Sequence, residues 1–188
     1  VNWSKSADGS LYYYDNETGQ WIPYQAEWLV EPELRQMVQR RVLIMRHAQT
    51  IPNAPTDFER ALTNQGKHDA KKTPSRIRSH GWIPNRILVS SSRRTMETVE
   101  LLAEYHGIPT EPKDELYLAS TETIHEFIES THSDETLLLV THNPGCEMVL
   151  YQITGIYHSM PPGACAFLSE SNGSWACERV LRPDEVSR

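Results

Sequence analysis

Five short apolar runs mark the chain from residue 41 onward: RVLIM (41–45), RILVS (86–90), TLLLVT (136–141), ACAFLSE (164–170) and WACERVL (175–181). The first three are nearly continuous in hydrophobicity, as strands buried on both faces require. The last two flank SNGS, a hairpin turn signal. Helical patterns lie between them. Thr63 is placed to cap NQGKHDAKK; Pro74 should end or kink that helix, with the rest reaching Gly81. RTMETVELLAEYHG (94–107) carries an apolar stripe of Met96, Val99, Leu102 and Ala103 and closes at Gly107. TETIHEFIEST (121–131) has Thr121 as a candidate cap and puts Ile124, Phe127 and Ile128 on one face, and a further helix follows over 144–153. PTEPKDEL is a candidate edge strand. Strands alternating with helices predict an α/β fold, a mainly parallel sheet sandwiched between helices, over residues 41–188.

The first 28 residues follow a different rule, holding seven of the 16 aromatic residues and no aliphatic cluster before Leu29. DGSLYYYDNETGQW reads as two short strands around a turn, DNETG. Residues 1–28 are therefore expected to form a small aromatic β-hairpin module, and 29–40, with Pro32 at a first helical position, a linking helix.

Length and composition narrow the function classes. The chain has 188 residues, 38% of them hydrophobic and 23% charged, which is ordinary for a folded domain with a small addition. Eighteen basic against 25 acidic residues give a net charge of −7, which argues against a nucleic-acid partner but leaves room for a local basic pocket. No apolar run reaches the length of a membrane span, and VNWSKSADGS has no apolar signal core. Cys146, Cys165 and Cys177 are odd in number and form no CxxC, so reduced thiols and a cytoplasmic location are expected.

The candidate chemistry sits where strands end. RVLIM runs into Arg46-His47, TLLLVT into His142-Asn143, and RILVS into SSRR, ending at Arg94. In open parallel sheets ligands bind beyond the carboxyl ends of the strands, so these segments should meet at one rim. Two histidines among arginines suit a phosphoryl group: guanidinium forks neutralise its oxygens, a neutral imidazole attacks phosphorus, and a second imidazole donates to an equatorial oxygen. Helix N-termini after Ser92 and Asn143 would add backbone N–H donors. Taken singly, each of these pieces has an ordinary reading as a loop or a solvated turn; their common position at three strand ends carries the argument.

LIMRHAQTIPN resembles the RHG motif of the histidine phosphatase (phosphoglycerate mutase-like) superfamily, with Arg46, His47, Thr50 and Asn53 at its positions. VSSSRRTMETVELL resembles the second motif through Ser90, Arg94 and Thr98, and LLLVTHNPG the third through His142 and Asn143. The resemblance implies a phosphatase acting through a phosphohistidine on His47, with Arg46, Arg94 and His142 completing the phosphate pocket. Thr50, Asn53, Ser90 and Asn143 would support substrate binding, and no metal or other cofactor is implied. The expected substrate is a phosphorylated small molecule or a phosphoprotein. Two departures stand out. Ala48 replaces the usual Gly, as in the small branch resembling bacterial protein phosphohistidine phosphatases. The family's acidic general-acid motif is also missing. Asp114, Glu115 and Glu122 are the available carboxylates, and surface charge is the more ordinary role of each. Without an acid, easily departing groups such as phosphoramidates are favoured. The rival readings are a phospho-ligand-binding protein without catalysis and a phosphoglycerate-type mutase.

DGSLYYYDNETGQWIP also resembles a WW domain, with Trp3 and Trp21 closer than usual and a third strand expected to be cut short. In that reading Tyr13 and Trp21 form a groove for a proline-rich peptide; in the other, which the marginal stability of an isolated hairpin favours, the aromatics only pack.

Overall fold

A computed structural model describes residues 3–5, 11–15, 18–23, 40–171 and 173–183. The chain divides into two compact units, 1–38 and 39–188. The linking helix expected over 29–40 lies outside the described residues apart from Arg40.

In the first unit three antiparallel strands are described, β1 (Trp3–Lys5), β2 (Leu11–Asp15) and β3 (Gln20–Pro23), in the order β1-β2-β3. The expected two-stranded hairpin is thus β2–β3 with a further strand before it. The register pairs Tyr14 with Trp21 and Tyr13 with Ile22. The side chain of Tyr13, expected to form a groove with Trp21, lies outside the described residues.

In the second unit the described residues form a six-stranded sheet. Its strands are β4 (Arg41–Arg46), β5 (Arg86–Ser90), β6 (Thr110–Lys113), β7 (Thr136–Thr141), β8 (Cys165–Ser171) and β9 (Ser174–Leu181), ordered β6-β5-β7-β4-β8-β9. The β6–β5, β5–β7 and β7–β4 pairs are parallel, and β4–β8 and β8–β9 antiparallel. The apolar runs are central strands whose successive residues feed two cores. Val42, Ile44, Leu137 and Leu139 pack with helices α3 (Thr121–Glu129) and α4 (Gly145–Thr154), through Ile124, Ile128, Val149 and Leu150. Leu43, Met45, Leu138 and Val140 face α1 (Asn64–Ser79) and the segment around α2 (Arg93–Glu100), through Ile77, Trp82, Leu102 and Tyr105. Among the described residues no helix is long and apolar enough to cross a membrane.

Helix boundaries shift where packing overrides pattern. Thr63 caps α1 as expected, its hydroxyl accepting from the Gly66 N–H, but buried Pro74 sits inside the helix without ending it. The helix expected over 94–107 stops at Glu100. There Leu101 and Leu102 donate to carbonyls three residues back, and a 3-10 turn, Ala103–Tyr105, takes over. Leu102 and Tyr105 still reach the core from that turn.

Candidate active site

The sheet register brings the three motifs level. Arg46 pairs with Thr141 across β4–β7, and Val89 with Val140 across β5–β7. The chain therefore leaves three neighbouring strands at His47, Ser90 and His142 on a single rim. A cavity of about 340 Å³ opens there, lined by Arg46, His47, Arg94, His142, Thr50 and Asn143 among others.

His47 is buried at the end of β4. Its Nδ1 lies 2.8 Å from the Ala48 carbonyl, which can only accept, so the proton sits on Nδ1 and Nε2 keeps its lone pair. Burial first, and then the charges of Arg94, Arg46 and Arg60, push its pKa down to about 4. His142 lies with its ring centroid 5.3 Å from that of His47. Its Nε2 is 2.8 Å from Ser90 Oγ, and its Nδ1 is buried with no hydrogen-bond partner among the described residues. Burial, followed by Arg94, lowers its pKa to about 3.

The cradle is held by contacts between motifs. Arg46 Nη1 and Asn143 Nδ2 donate to one acceptor, the Met160 carbonyl, at 2.9 and 3.1 Å. Thr98 Oγ1 donates to the Arg94 carbonyl and accepts from the Ala48 N–H, tying α2 to the loop after β4. Ala48 is fully buried and does not need a left-handed backbone, so alanine is accommodated where the family pattern has glycine. Gly66 is required by close approach: a β-carbon there would lie 2.2 Å from the Gln49 carbonyl oxygen, so α1 starts directly against the loop that follows His47.

Not every expected residue lines the pocket. Ser90 is fully buried beneath His142 and acts through it. Asn53 is exposed and lies outside the pocket lining, as do the exposed acid candidates Asp114, Glu115 and Glu122. The first N–H of α2 is also taken, since Arg93 donates to the Phe58 carbonyl. The pocket's own carboxylate belongs to Asp57, which sequence reasoning passed over. Its Oδ2 accepts from Arg94 at 3.0 Å and from the Tyr117 hydroxyl at 2.8 Å, and its Oδ1 from Arg60 at 3.2 Å. Although burial opposes it, these donors hold its pKa down at about 2. Arg60, also unforeseen, donates to the Thr50 hydroxyl and lines the pocket. The available signal was the Asp-x-x-Arg spacing in TDFER, just before LTNQG.

The profile of the histidine phosphatase superfamily (branch 1) matches residues 42–117, taking in the first two motifs. The fold recurs in solved structures. A candidate phosphohistidine phosphatase, SixA, from Agrobacterium tumefaciens superposes with a TM-score of 0.68 at 28% identity, over 77% of this chain and 98% of that one.

Over residues 42–117 this chain is similar to the histidine phosphatase superfamily.

The profile match and the SixA-like fold together mark it as a histidine-type phosphatase, a hydrolase acting on phosphate bonds. Within the superfamily, the protein histidine phosphatase SixA complexed with tungstate shares the fold, with a TM-score of 0.67 at 19% identity over 76% of this chain and 97% of that one. An uncharacterized chloroplastic protein of Arabidopsis thaliana is 28% identical over 152 residues, 73% of this chain and 70% of that protein. The mitochondrial serine/threonine-protein phosphatase PGAM5 of Xenopus tropicalis is 36% identical over 66 residues, which span 35% of this chain and only 24% of that protein.

Proposed function

We propose that the chain hydrolyses its substrate through a phosphohistidine formed on His47 Nε2, and that the substrate is a phosphorylated protein side chain, phosphohistidine foremost, or a small phosphoester or phosphoramidate. The observation that carries this reading is the hydrogen bond from His47 Nδ1 to the Ala48 carbonyl, which leaves a neutral Nε2 with its lone pair in a pocket lined by guanidinium groups.

In the first step Nε2 attacks phosphorus and the bond to the leaving group breaks, its electron pair going with that group. Arg46, Arg60 and Arg94 carry the charge spread over the phosphoryl oxygens. The buried N–H groups of Arg46 Nε and Arg94 Nε, without acceptors among the described residues, support this role. With the Ser90 hydroxyl donating to Nε2, His142 holds its proton on Nδ1 as a further donor. Asp57, held ionised, has no proton to give, so the leaving group must depart as a weak base or already protonated. A protonated imidazole meets that condition better than an alkoxide. In the second step water attacks phosphorus, the P–N bond breaks, its electrons return to Nε2, and the water's protons leave on the phosphate product or to solvent. The SixA likeness and the PGAM5 match support a phosphoprotein-type substrate. A mutase reading is disfavoured because the acid that such chemistry uses is not in the pocket.

The test is hydrolysis of phosphohistidine and of an activated aryl phosphate by the wild type and by His47→Ala. Turnover that vanishes in the variant while circular dichroism is unchanged supports the reading; equal turnover in both removes His47 as the nucleophile. For the N-terminal unit, Trp21 is 49% exposed, which supports a proline-rich ligand there. A tryptophan fluorescence shift on adding a proline-rich peptide, abolished in Trp21→Ala, is expected; no shift in the wild type excludes it.

A further inference from the structure

The catalytic rim carries an apolar edge that the chemistry above does not use. Leu118 lines the pocket yet is 53% exposed, and its φ of 48° places it in the left-handed region that leucine normally avoids. The fold therefore holds an aliphatic side chain at the mouth at some energetic cost. Beside it, Tyr117 and Phe58 meet edge to face at a centroid distance of 5.0 Å, and Phe58 is 40% exposed. The Tyr117 ring in turn stands edge-on to His142 at 5.5 Å, and His142 adjoins His47 at 5.3 Å. A ladder of rings thus climbs from the nucleophile to the surface.

The charges at this site are matched to a single phosphoryl group. Of the lining residues, three guanidinium groups stand against one carboxylate, leaving a surplus of two positive charges, that of one dianionic phosphoryl group. Among the lining residues no further Lys or Arg stands ready for a second anion on the leaving group.

We propose that Leu118, Tyr117 and Phe58 form a specificity edge that selects phosphoryl donors whose leaving group is an uncharged flat ring, and disfavours donors bearing a second anionic group. This inference rests on the phosphatase reading and adds the class of leaving group to it. Apolar contact with a ring removes rim surface from water, and a π-face fits the edges that Tyr117 and Phe58 present.

The test separates binding from turnover. Benzylphosphonate and methylphosphonate, unreactive mimics with and without a ring, are titrated by calorimetry into the wild type, Leu118→Ala and Leu118→Met. The wild type is expected to prefer the benzyl compound about tenfold, the scale of one apolar side-chain contact. Leu118→Ala should cut that preference to about twofold, and Leu118→Met, which keeps the apolar surface, should retain it. Equal affinities in the wild type, or a preference that survives Leu118→Ala, overturn the proposal. So does an equal loss for both compounds in Leu118→Ala, which would assign Leu118 to the anion cradle. A wild type that prefers benzylphosphonate but hydrolyses nothing retains the edge and refutes the catalytic reading.

Discussion

Ser90 Oγ and His142 Nε2 stand 2.8 Å apart inside the core, joining the end of β5 to the residue that follows β7. The direction of this hydrogen bond sets which nitrogen of His142 carries the proton. A hydroxyl that donates to Nε2 obliges Nδ1 to be the N–H, and Nδ1 is the nitrogen without a partner among the described residues.

Ser90→Ala is accordingly expected to lower kcat about tenfold or more through loss of an oriented donor, and to cost about 1–2 kcal/mol of stability for the unmet buried group. The measurement that separates positioning from mere packing is the ¹⁵N NMR pattern of the His142 ring. A single Nδ1–H tautomer in the wild type should become a mixture in the variant; an unchanged pattern with unchanged kcat refutes the assignment.

Acid should destabilise the fold through its two site histidines. Both are held neutral, with folded pKa values of about 4 for His47 and about 3 for His142, against about 6.5 for an unfolded imidazole. Between those limits the unfolded chain binds more protons than the folded one, so stability is fully present above about pH 6.5 and falls as the pH drops toward 4. Thermal melting is expected to decline over that window in the wild type and less steeply in His47→Gln. A melting temperature flat from pH 7 to pH 4 would contradict the buried neutral pair.

Gly66→Ala tests the contact between α1 and the catalytic loop. A methyl 2.2 Å from the Gln49 carbonyl oxygen must displace backbone, at a cost of about 2 kcal/mol or more. Urea unfolding gives the stability and orthophosphate inhibition the state of the pocket; both are expected to weaken. A variant as stable as the wild type would mean that the helix start moves freely.

What was legible in the sequence follows from where structure is local. RVLIM ahead of Arg46-His47 and TLLLVT ahead of His142 announced themselves because an apolar run can only be a buried strand, and a polar pair after it must lie at its end. Thr63 was readable as a cap because its partner, Gly66, is three residues away. Asp57 was not, because it gains its role from partners supplied by α2 and by the loop after β6, Arg94 and Tyr117, which lie 37 and 60 residues downstream. The overlong helix after Arg93 has a similar cause. Its apolar stripe is real, but Leu102 and Tyr105 reach the core from a tighter turn.

The shared carbonyl of Met160 has a consequence for how the enzyme is made. In translation Arg46 emerges 114 residues ahead of the group that anchors its guanidinium. β4 likewise waits for β8, its antiparallel neighbour. A nascent chain released before residue 160 would carry every motif histidine and arginine and still lack the anchor that aligns them. Competence for phosphoryl chemistry therefore arrives only once Met160 and β8 have left the ribosome.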